Sequence, residues 1–302
     1  MTTYNGEKYL KEQLDSIYAQ THRNIEVIVT DDCSTDRTVE ILKEYEKAHK
    51  LKYYINEKNL GFTKNFEKAI SLCNGEYIAL ADQDDIWLAE KIEILLNNIQ
   101  ENLLIHSDCS IIDEENQVKN QYWKKEHGNS ICIQNLLFNN VVTGCTVLFK
   151  KELTSIALPF PNIIAYHDWW LAICAAKFNK ICYTPFPLVQ YRQHPDQHTG
   201  IKSSTNILFQ QVINTVERLQ GIKVIRVSIA EKQKQNLLAL KKHPMCDQKL
   251  EPILNDAIDY FDNYLQSPFH LNSFKISLKY HKAIYPYRNY LFLKNIIFDI
   301  IG

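Results

Sequence analysis

Residues 1–204 predict an α/β domain built on a doubly wound sheet with helices on both faces, and residues 205–302 predict a helical extension. Three observations lead there. Short apolar runs alternate with helical stripes through residue 110. Two of the runs end in acidic clusters, Asp31-Asp32 and Asp82, Asp84 and Asp85. Beyond about residue 205 every stripe has the helical period. The order strand, helix, strand implies right-handed crossovers and parallel strands. Such sheets bind ligands at the carboxyl ends of their strands, so both clusters belong to one site.

Met1 to Gly6 looks like the end of a strand and its turn, with no strand before it. A doubly wound sheet places its first, central strand there. The expectation is that the first strand is truncated and Met1 is internal to a longer natural product, with about five to seven apolar residues upstream. Glu7 to Gln20 carries Tyr9, Leu10, Leu14, Ile17 and Tyr18 at helical spacing. Ile25 to Val29 is a β-branched strand ending at Thr30-Asp31-Asp32. Ser34 opens a helix with Thr38, Val39, Ile41, Leu42 and Tyr45. Leu51 to Ile55 is a short strand, Asn59-Leu60-Gly61 a turn and Phe62 to Leu72 a helix. Asn74-Gly75 turns into the strand Tyr77 to Leu80. Val147 to Phe149 and Leu188 to Gln190 are strands, and Leu171 to Phe178 is an apolar helix. Helices follow at Ile207 to Leu219, Ile229 to Leu240 and Ile253 to Leu265. The 1–204 domain divides at about residue 110 into two halves.

With 302 residues, 45% of them hydrophobic, the chain can bury a sizeable core. A net charge of −1 gives no field for nucleic acid. Its eight cysteines include no CxxC pair, which suits reduced thiols. No signal-peptide pattern opens the sequence and no uncharged stretch spans a bilayer, so the expected location is cytoplasmic. Phe274 to Ile301 interleaves Lys275, Lys279, Lys282, Arg288 and Lys294 with tyrosines and phenylalanines. That pattern suits peripheral contact with the inner face of an anionic membrane, or a helix docked on the catalytic domain.

Asp82, Asp84 and Asp85 crowd three carboxylates into four positions, an arrangement tolerated most easily around a cation. Oxygen ligands suit Mg²⁺ or Mn²⁺, whose other positions are filled by substrate phosphates. The alternative is an acidic turn with Asp85 capping the next helix. Gly144, before the strand at 147, would let backbone approach a sugar or phosphate, or is a plain tight turn.

Thr3-Tyr4-Asn5-Gly6, Asp31 to Asp36, Asn59-Leu60-Gly61, Gly75 to Ile78 and Asp82-Gln83-Asp84-Asp85 resemble the family 2 glycosyltransferases, in that family's order and spacing over roughly residues 1–200. With Gln83 and Trp87 the cluster is similar to that of bacterial rhamnosyltransferases. The resemblance implies the GT-A fold, a mixed sheet, and inverting transfer of a sugar, rhamnose among the candidates, from a dTDP- or UDP-linked donor. The implied acceptor is a hydroxyl of a glycan or lipid-linked glycan in cell-surface polysaccharide synthesis. It further implies that Thr3 and Tyr4 line the base, that Asp31, beside Asp32, accepts from the base imide, and that Lys64 lies near base and diphosphate. Asp82, Asp84 and Asp85 would surround the metal, ribose and phosphates, with Asp84 the direct ligand. Arg192 and His194 would meet the diphosphate or metal, although a His–Pro in a polar loop is also an ordinary solvated feature.

The chemistry also asks for a base on the acceptor side. Asp168, in Ala165 to Trp170, is the candidate, with a helix cap as its alternative. Trp169 and Trp170 could pack on sugar C–H faces. The polar stretch Gln193 to Ser204, with His198, suits a lid. Two other classes compete with a glycosyltransferase. A phosphoryl-transfer enzyme with a phosphorylated Asp is disfavoured because Thr30 to Ser34 does not fit Asp-x-Asp-x-Thr. A non-catalytic nucleotide- or glycan-binding module, its acids serving as caps, is the other.

Overall fold

The computed structural model describes residues 1–49, 51–122, 131–195, 197, 214–266 and 271–280. The chain divides into two compact units. The first comprises Met1–Ile133, Asn140–Phe160 and Tyr166–His194; the second comprises Gln134–Asn139, Pro161–Ala165 and Pro195–Gly302. The sequence suggests one cut near 204, whereas two short excursions of the chain join the second unit.

In the first unit β1 (Thr2–Thr3), β2 (Ile28–Asp31) and β3 (Lys52–Ile55) form a parallel sheet in that order. Leu10, Leu14 and Ile17 share the buried face of α1 (Leu10–Tyr18), and Thr38, Ile41 and Leu42 that of α2 (Thr38–His49). The helix α3 (Phe62–Leu72) buries Asn65, Phe66, Ala69 and Ile70. The strand expected at 25–29 lies instead at Ile28–Asp31. Its partners begin there, with Lys52 opposite Ile28 and Thr2 opposite Thr30.

A second sheet contains β4 (Tyr77–Ala79), β5 (Ile86–Trp87), β6 (Leu104–Ile112), β7 (Val118–Asn120), β8 (Val147–Lys150) and β9 (Ile181–Arg192). Its order is β4-β8-β6-β9-β5, with β7 beside β6. Only β6 and β9 run parallel, so the sheet is mixed. All nine residues of β6 are buried. No apolar run announces this strand, because His106, Ser107 and Asp108 occupy its middle. The helix α4 (Lys91–Ile99) brings Ile92, Leu95 and Ile99 into a core shared with Leu10, Leu14, Val29, Leu42, Ile105 and Leu148. Two short helices, α5 (Ile133–Phe138) and α6 (Thr154–Ala157), precede α7 (His167–Ala176).

The second unit contains α8 (Asn214–Lys242), α9 (Glu251–Gln266) and α10 (Leu271–Lys279). Leu237, Leu240, Leu254, Ala257 and Phe261 are buried in it, and Gln233 Nε2 donates to the carbonyls of Leu136 and Leu137. One helix, α8, runs from 214 through the segment where separate helices at 207–219 and 229–240 are expected; residues 207–213 lie outside the described residues. Gly221 costs only about 1 kcal/mol relative to alanine mid-helix, and its neighbours include good helix formers. Most of the expected lid (196 and 198–204, with His198) and the basic, aromatic segment beyond residue 280 also lie outside the described residues. Among the described residues no helix is long and apolar enough to cross a membrane.

Candidate active site

Both acidic clusters follow strands of the first unit, but they are partnered differently. Asp31, at the end of β2, accepts from the hydroxyls of Thr3 (2.8 Å) and Ser34 (2.6 Å) and from the Ser34 N–H (2.9 Å). Asp32 accepts from Leu60 N (2.8 Å), Gly61 N (2.9 Å) and Asn56 Nδ2 (2.8 Å). Both acids are buried. These two acids, expected to meet the nucleotide, clamp Thr3, Ser34 and the 59–61 loop onto the end of β2. Lys64 is likewise held, by Glu67 (2.6 Å) and the Phe160 carbonyl (2.9 Å). Tyr4 keeps an exposed ring, and its backbone exchanges two hydrogen bonds with the Gln83 amide, at 2.8 and 3.0 Å. This tether joins the first loop to the second acidic cluster. A Cβ at Gly6 would lie 2.3 Å from Gln83 Oε1, so a larger residue there would push the Gln83 amide off this tether.

The second cluster fills the link from β4 to β5. Asp85 is not a helix cap, because α4 starts only at Lys91. Asp84 Oδ2 lies 2.8 Å from His194 Nε2, so these two expected metal ligands meet. Arg192, 1% exposed, is buried. Its Nε donates to the Asp84 carbonyl (2.8 Å), an Nη to Glu12 (2.7 Å), and the guanidinium covers the Tyr9 ring. This guanidinium, expected at the diphosphate, braces the backbone of Asp84. The backbone N–H of Arg192 donates to Asp85 Oδ1 (3.0 Å).

Asp85 is fully buried, and desolvation, then the charges of Asp84 and Asp82, raises its pKa well above the carboxylate range. Asp82 is pushed up to about 7 by the same causes, with Asp168 contributing. Beside them lies a feature with no sequence signal, the buried ammonium of Lys91. It donates to the Cys145 carbonyl (2.6 Å) and sits 3.3 Å from the Trp87 ring centroid. Burial lowers its pKa to about 7, outweighing the opposing pull of Cys145, Asp85 and Asp82. Lys91→Met should cost about 2–3 kcal/mol in urea denaturation, because it strands a buried carbonyl and removes the cation beside two acids. Unchanged stability would show that the ammonium does not hold the cluster.

Asp82, Asp85 and the Cys145 thiol could gather around an ion, their ligand atoms lying within 4.8 Å of one another. Burial, however, keeps Cys145 a neutral thiol, a poor partner for a hard cation. Asp84 and His194, with Asp82 beside them, could also hold Mn²⁺ or Mg²⁺.

Asp168 lies in the first turn of α7, where Tyr166 holds the cap position. Its Oδ2 accepts from Gly144 N (3.1 Å), and its Oδ1 from Asn140 Nδ2 (3.2 Å) and Trp169 N (2.6 Å). Gly144, expected to approach a ligand, thus orients this carboxylate. A Cβ there would be 2.9 Å from His167 Nε2. Trp169 and Trp170 are both fully buried. The expectation that Trp169 touches donor is corrected: α7 is enclosed on every side, and only its first turn borders the site.

His167 is buried, stacked on Phe66 at 3.8 Å between centroids, with neither ring nitrogen hydrogen-bonded. Burial lowers its pKa to about 4. Below pH 6.5 the unfolded chain takes up a proton that the folded chain refuses. The contribution to stability is therefore complete above 6.5 and lost as pH falls towards 4. His167→Phe should remove about 2 kcal/mol of that acid sensitivity, measured as denaturation midpoints at pH 7 and 4.5. An unchanged pH slope would contradict this assignment.

A family model described as Glycosyl transferase family 2 matches residues 1–154, just over half of the chain. The dTDP-rhamnosyl transferase RfbG of Shigella flexneri is 30% identical over 227 residues, 70% of this chain and 78% of its own length. Residues 1–349 of Staphylococcus aureus TarS, solved with UDP, match with a TM-score of 0.60 at 17% identity, covering 99% of this chain and 87% of that one. The mannosyltransferase PcManGT of Pyrobaculum calidifontis, solved with GDP-Man and Mn²⁺, matches with a TM-score of 0.58 at 17% identity, covering 99% and 83%. At such identities the two structures establish the fold alone, which is GT-A. Among curated relatives the chain spans from 57% to 90% of the relative's own length. The family match and the relative at 30% identity agree with the acidic cluster at the end of β4, and this chain belongs to glycosyl transferase family 2.

Proposed function

We propose that this chain is an inverting, metal-dependent glycosyltransferase that moves a sugar from a nucleotide diphosphate to an acceptor hydroxyl during synthesis of a cell-surface polysaccharide. The observation that carries the proposal is the placement of Asp168 on Gly144 N, one residue from the Cys145 thiol that lies within 4.8 Å of carboxylate oxygens of Asp82 and Asp85, while Asp84 meets His194. A base and a metal-ligand pair then serve one reaction centre. RfbG, named a dTDP-rhamnosyl transferase, supports a dTDP-linked donor with rhamnose as a candidate sugar, and TarS, solved with UDP, keeps a UDP-linked donor as the alternative. PcManGT, solved with Mn²⁺, supports the metal.

An ion held by Asp84 and His194 would supply Lewis-acid stabilisation to the departing diphosphate. Asp168 takes the acceptor's hydroxyl proton at a carboxylate oxygen as the acceptor oxygen bonds to the anomeric carbon. The bond from that carbon to the diphosphate oxygen breaks, and its electron pair leaves with the nucleotide. Attack opposite the leaving group inverts the centre. Gly144 and Asn140 hold the carboxylate in one orientation, which avoids reorganisation during the step. Arg192, through the Asp84 carbonyl, fixes the other side. A lipid-linked glycan is the acceptor class favoured by the basic, aromatic sequence of 274–301.

The test is release of nucleotide diphosphate when protein and Mn²⁺ are mixed with dTDP-rhamnose and a panel of UDP-sugars. The expected result is release from one donor class, accelerated by a glycan acceptor. Binding of nucleotide without release from any donor would indicate the non-catalytic module.

A further inference from the structure

We propose that Lys91 is a positioning residue for Asp168: through the Cys145 carbonyl it fixes the Gly144–Cys145 turn, whose N–H orients that carboxylate. The inference rests on the reading of Asp168 as the base. It ties the donor-side acids to the acceptor side of the reaction through a single turn of backbone.

Lys91 opens α4, the helix that follows the second acidic cluster, and it is fully buried. An amine is costly to bury, and a methionine would fill similar space without that cost. Packing alone therefore does not account for a lysine here. Its Nζ lies 3.3 Å from the Trp87 ring centroid and donates to the Cys145 carbonyl at 2.6 Å. Trp87 is itself held in β5, opposite Val189 of β9. The amine is thus pinned between a fixed ring and one carbonyl, and it can donate whether or not it carries its extra proton.

Cys145 is gripped twice from the donor side. Its carbonyl takes Lys91, and its thiol lies within 4.8 Å of carboxylate oxygens of Asp82 and Asp85. The residue before it, Gly144, gives its N–H to Asp168 Oδ2 (3.1 Å). Both belong to one short helical turn, Gly144–Thr146. The N–H and the hydroxyl of Thr146 close that turn on the Thr143 carbonyl, at 3.0 and 2.7 Å. So tight a turn moves as a unit, and a shift at the Cys145 carbonyl reaches Gly144 N. Asn140 and Trp169 hold the other oxygen of Asp168, so Gly144 N sets the rotation of the carboxylate about that side. The turn also sits against α7, where a Cβ at Gly144 would be 3.7 Å from Asp168 Cβ. A misplacement of about 1 Å in such a group can cost on the order of 10²-fold in rate.

Lys91→Met keeps the length of the side chain and removes the donor. Transfer should fall by about 10–10²-fold, while calorimetry finds the affinities for Mn²⁺, UDP and dTDP nearly unchanged. On the Asp168→Asn background the same substitution should cost little more, since it acts through that carboxylate. Amide hydrogen exchange at Gly144 is read against Leu148 and Ile173, two buried positions that report overall stability. It should quicken at Gly144 by at least about tenfold more than at those two. A lysine that merely stabilises the core would quicken all three alike and add its loss to that of Asp168→Asn, which would overturn the proposal. Loss of Mn²⁺ affinity would overturn it too, by making Lys91 a support of the acidic cluster instead. Lys91→Gln keeps an N–H one bond shorter and should fall between the parent and Lys91→Met in both transfer and Gly144 exchange. If Lys91→Met does not fold, Lys91→Gln decides, and the proposal fails unless both measurements change together. A parent that transfers no sugar from any donor would refute the reading of Asp168 as base. Exchange at Gly144 would still uphold or overturn the link from Lys91 to that carboxylate.

Discussion

Asp84→Asn abolishes metal-dependent turnover, lowering it by at least about 10²–10³-fold, and leaves the fold intact. The carboxylate meets His194 at 2.8 Å, so the substitution removes a negative ligand from the pair offered to the cation. Stability should hold or rise, because Asp84's charge is among the causes that raise Asp82 and Asp85. The Arg192 strut survives, since it bonds the Asp84 carbonyl rather than the side chain. Initial rates across Mn²⁺ concentrations, with urea midpoints alongside, check both halves. Equal activity of variant and parent in Mn²⁺ would remove Asp84 from the metal site.

Asp168→Asn lowers transfer by about 10²–10⁴-fold while donor and metal affinities stay nearly unchanged. An amide is close to isosteric but cannot take the acceptor's proton. It also carries a donor NH₂ where the carboxylate accepts, and turning that group towards Gly144 N loses fewer bonds than turning it towards Asn140 and Trp169. The accompanying stability loss should be about 1–2 kcal/mol. Calorimetric loss of donor binding together with activity would instead make Asp168 a donor ligand or a structural residue.

Periodicity in the sequence carries some elements of this fold and not others. The helix at Phe62–Leu72 and the strand before the Asp82 cluster are legible because local pattern decides them. The strand β6 is not, because a fully buried strand with His106, Ser107 and Asp108 at its centre has no apolar alternation. In the site, the meeting of Asp84 with His194 spans 110 residues, and only their separate motifs are visible beforehand. Asp31 and Asp32 look like ligands in sequence, yet whether a carboxylate faces a nucleotide or a loop N–H depends on donors 3 to 29 positions away. Lys91 had no signal, since a lysine opening an amphipathic helix is ordinarily solvated. Asn140 and His167 were missed because each acts through a neighbour rather than through a motif.

The proposed meeting of cation and donor diphosphate at the Asp84–His194 pair is what the reaction depends on. Its most direct test is calorimetric titration of the protein with dTDP and with UDP, in the presence and absence of Mn²⁺. Mn²⁺ should tighten binding of at least one of these nucleotides by about tenfold or more, and Asp84→Asn should erase that gain. Nucleotide affinity that is the same with and without Mn²⁺ would contradict the claim.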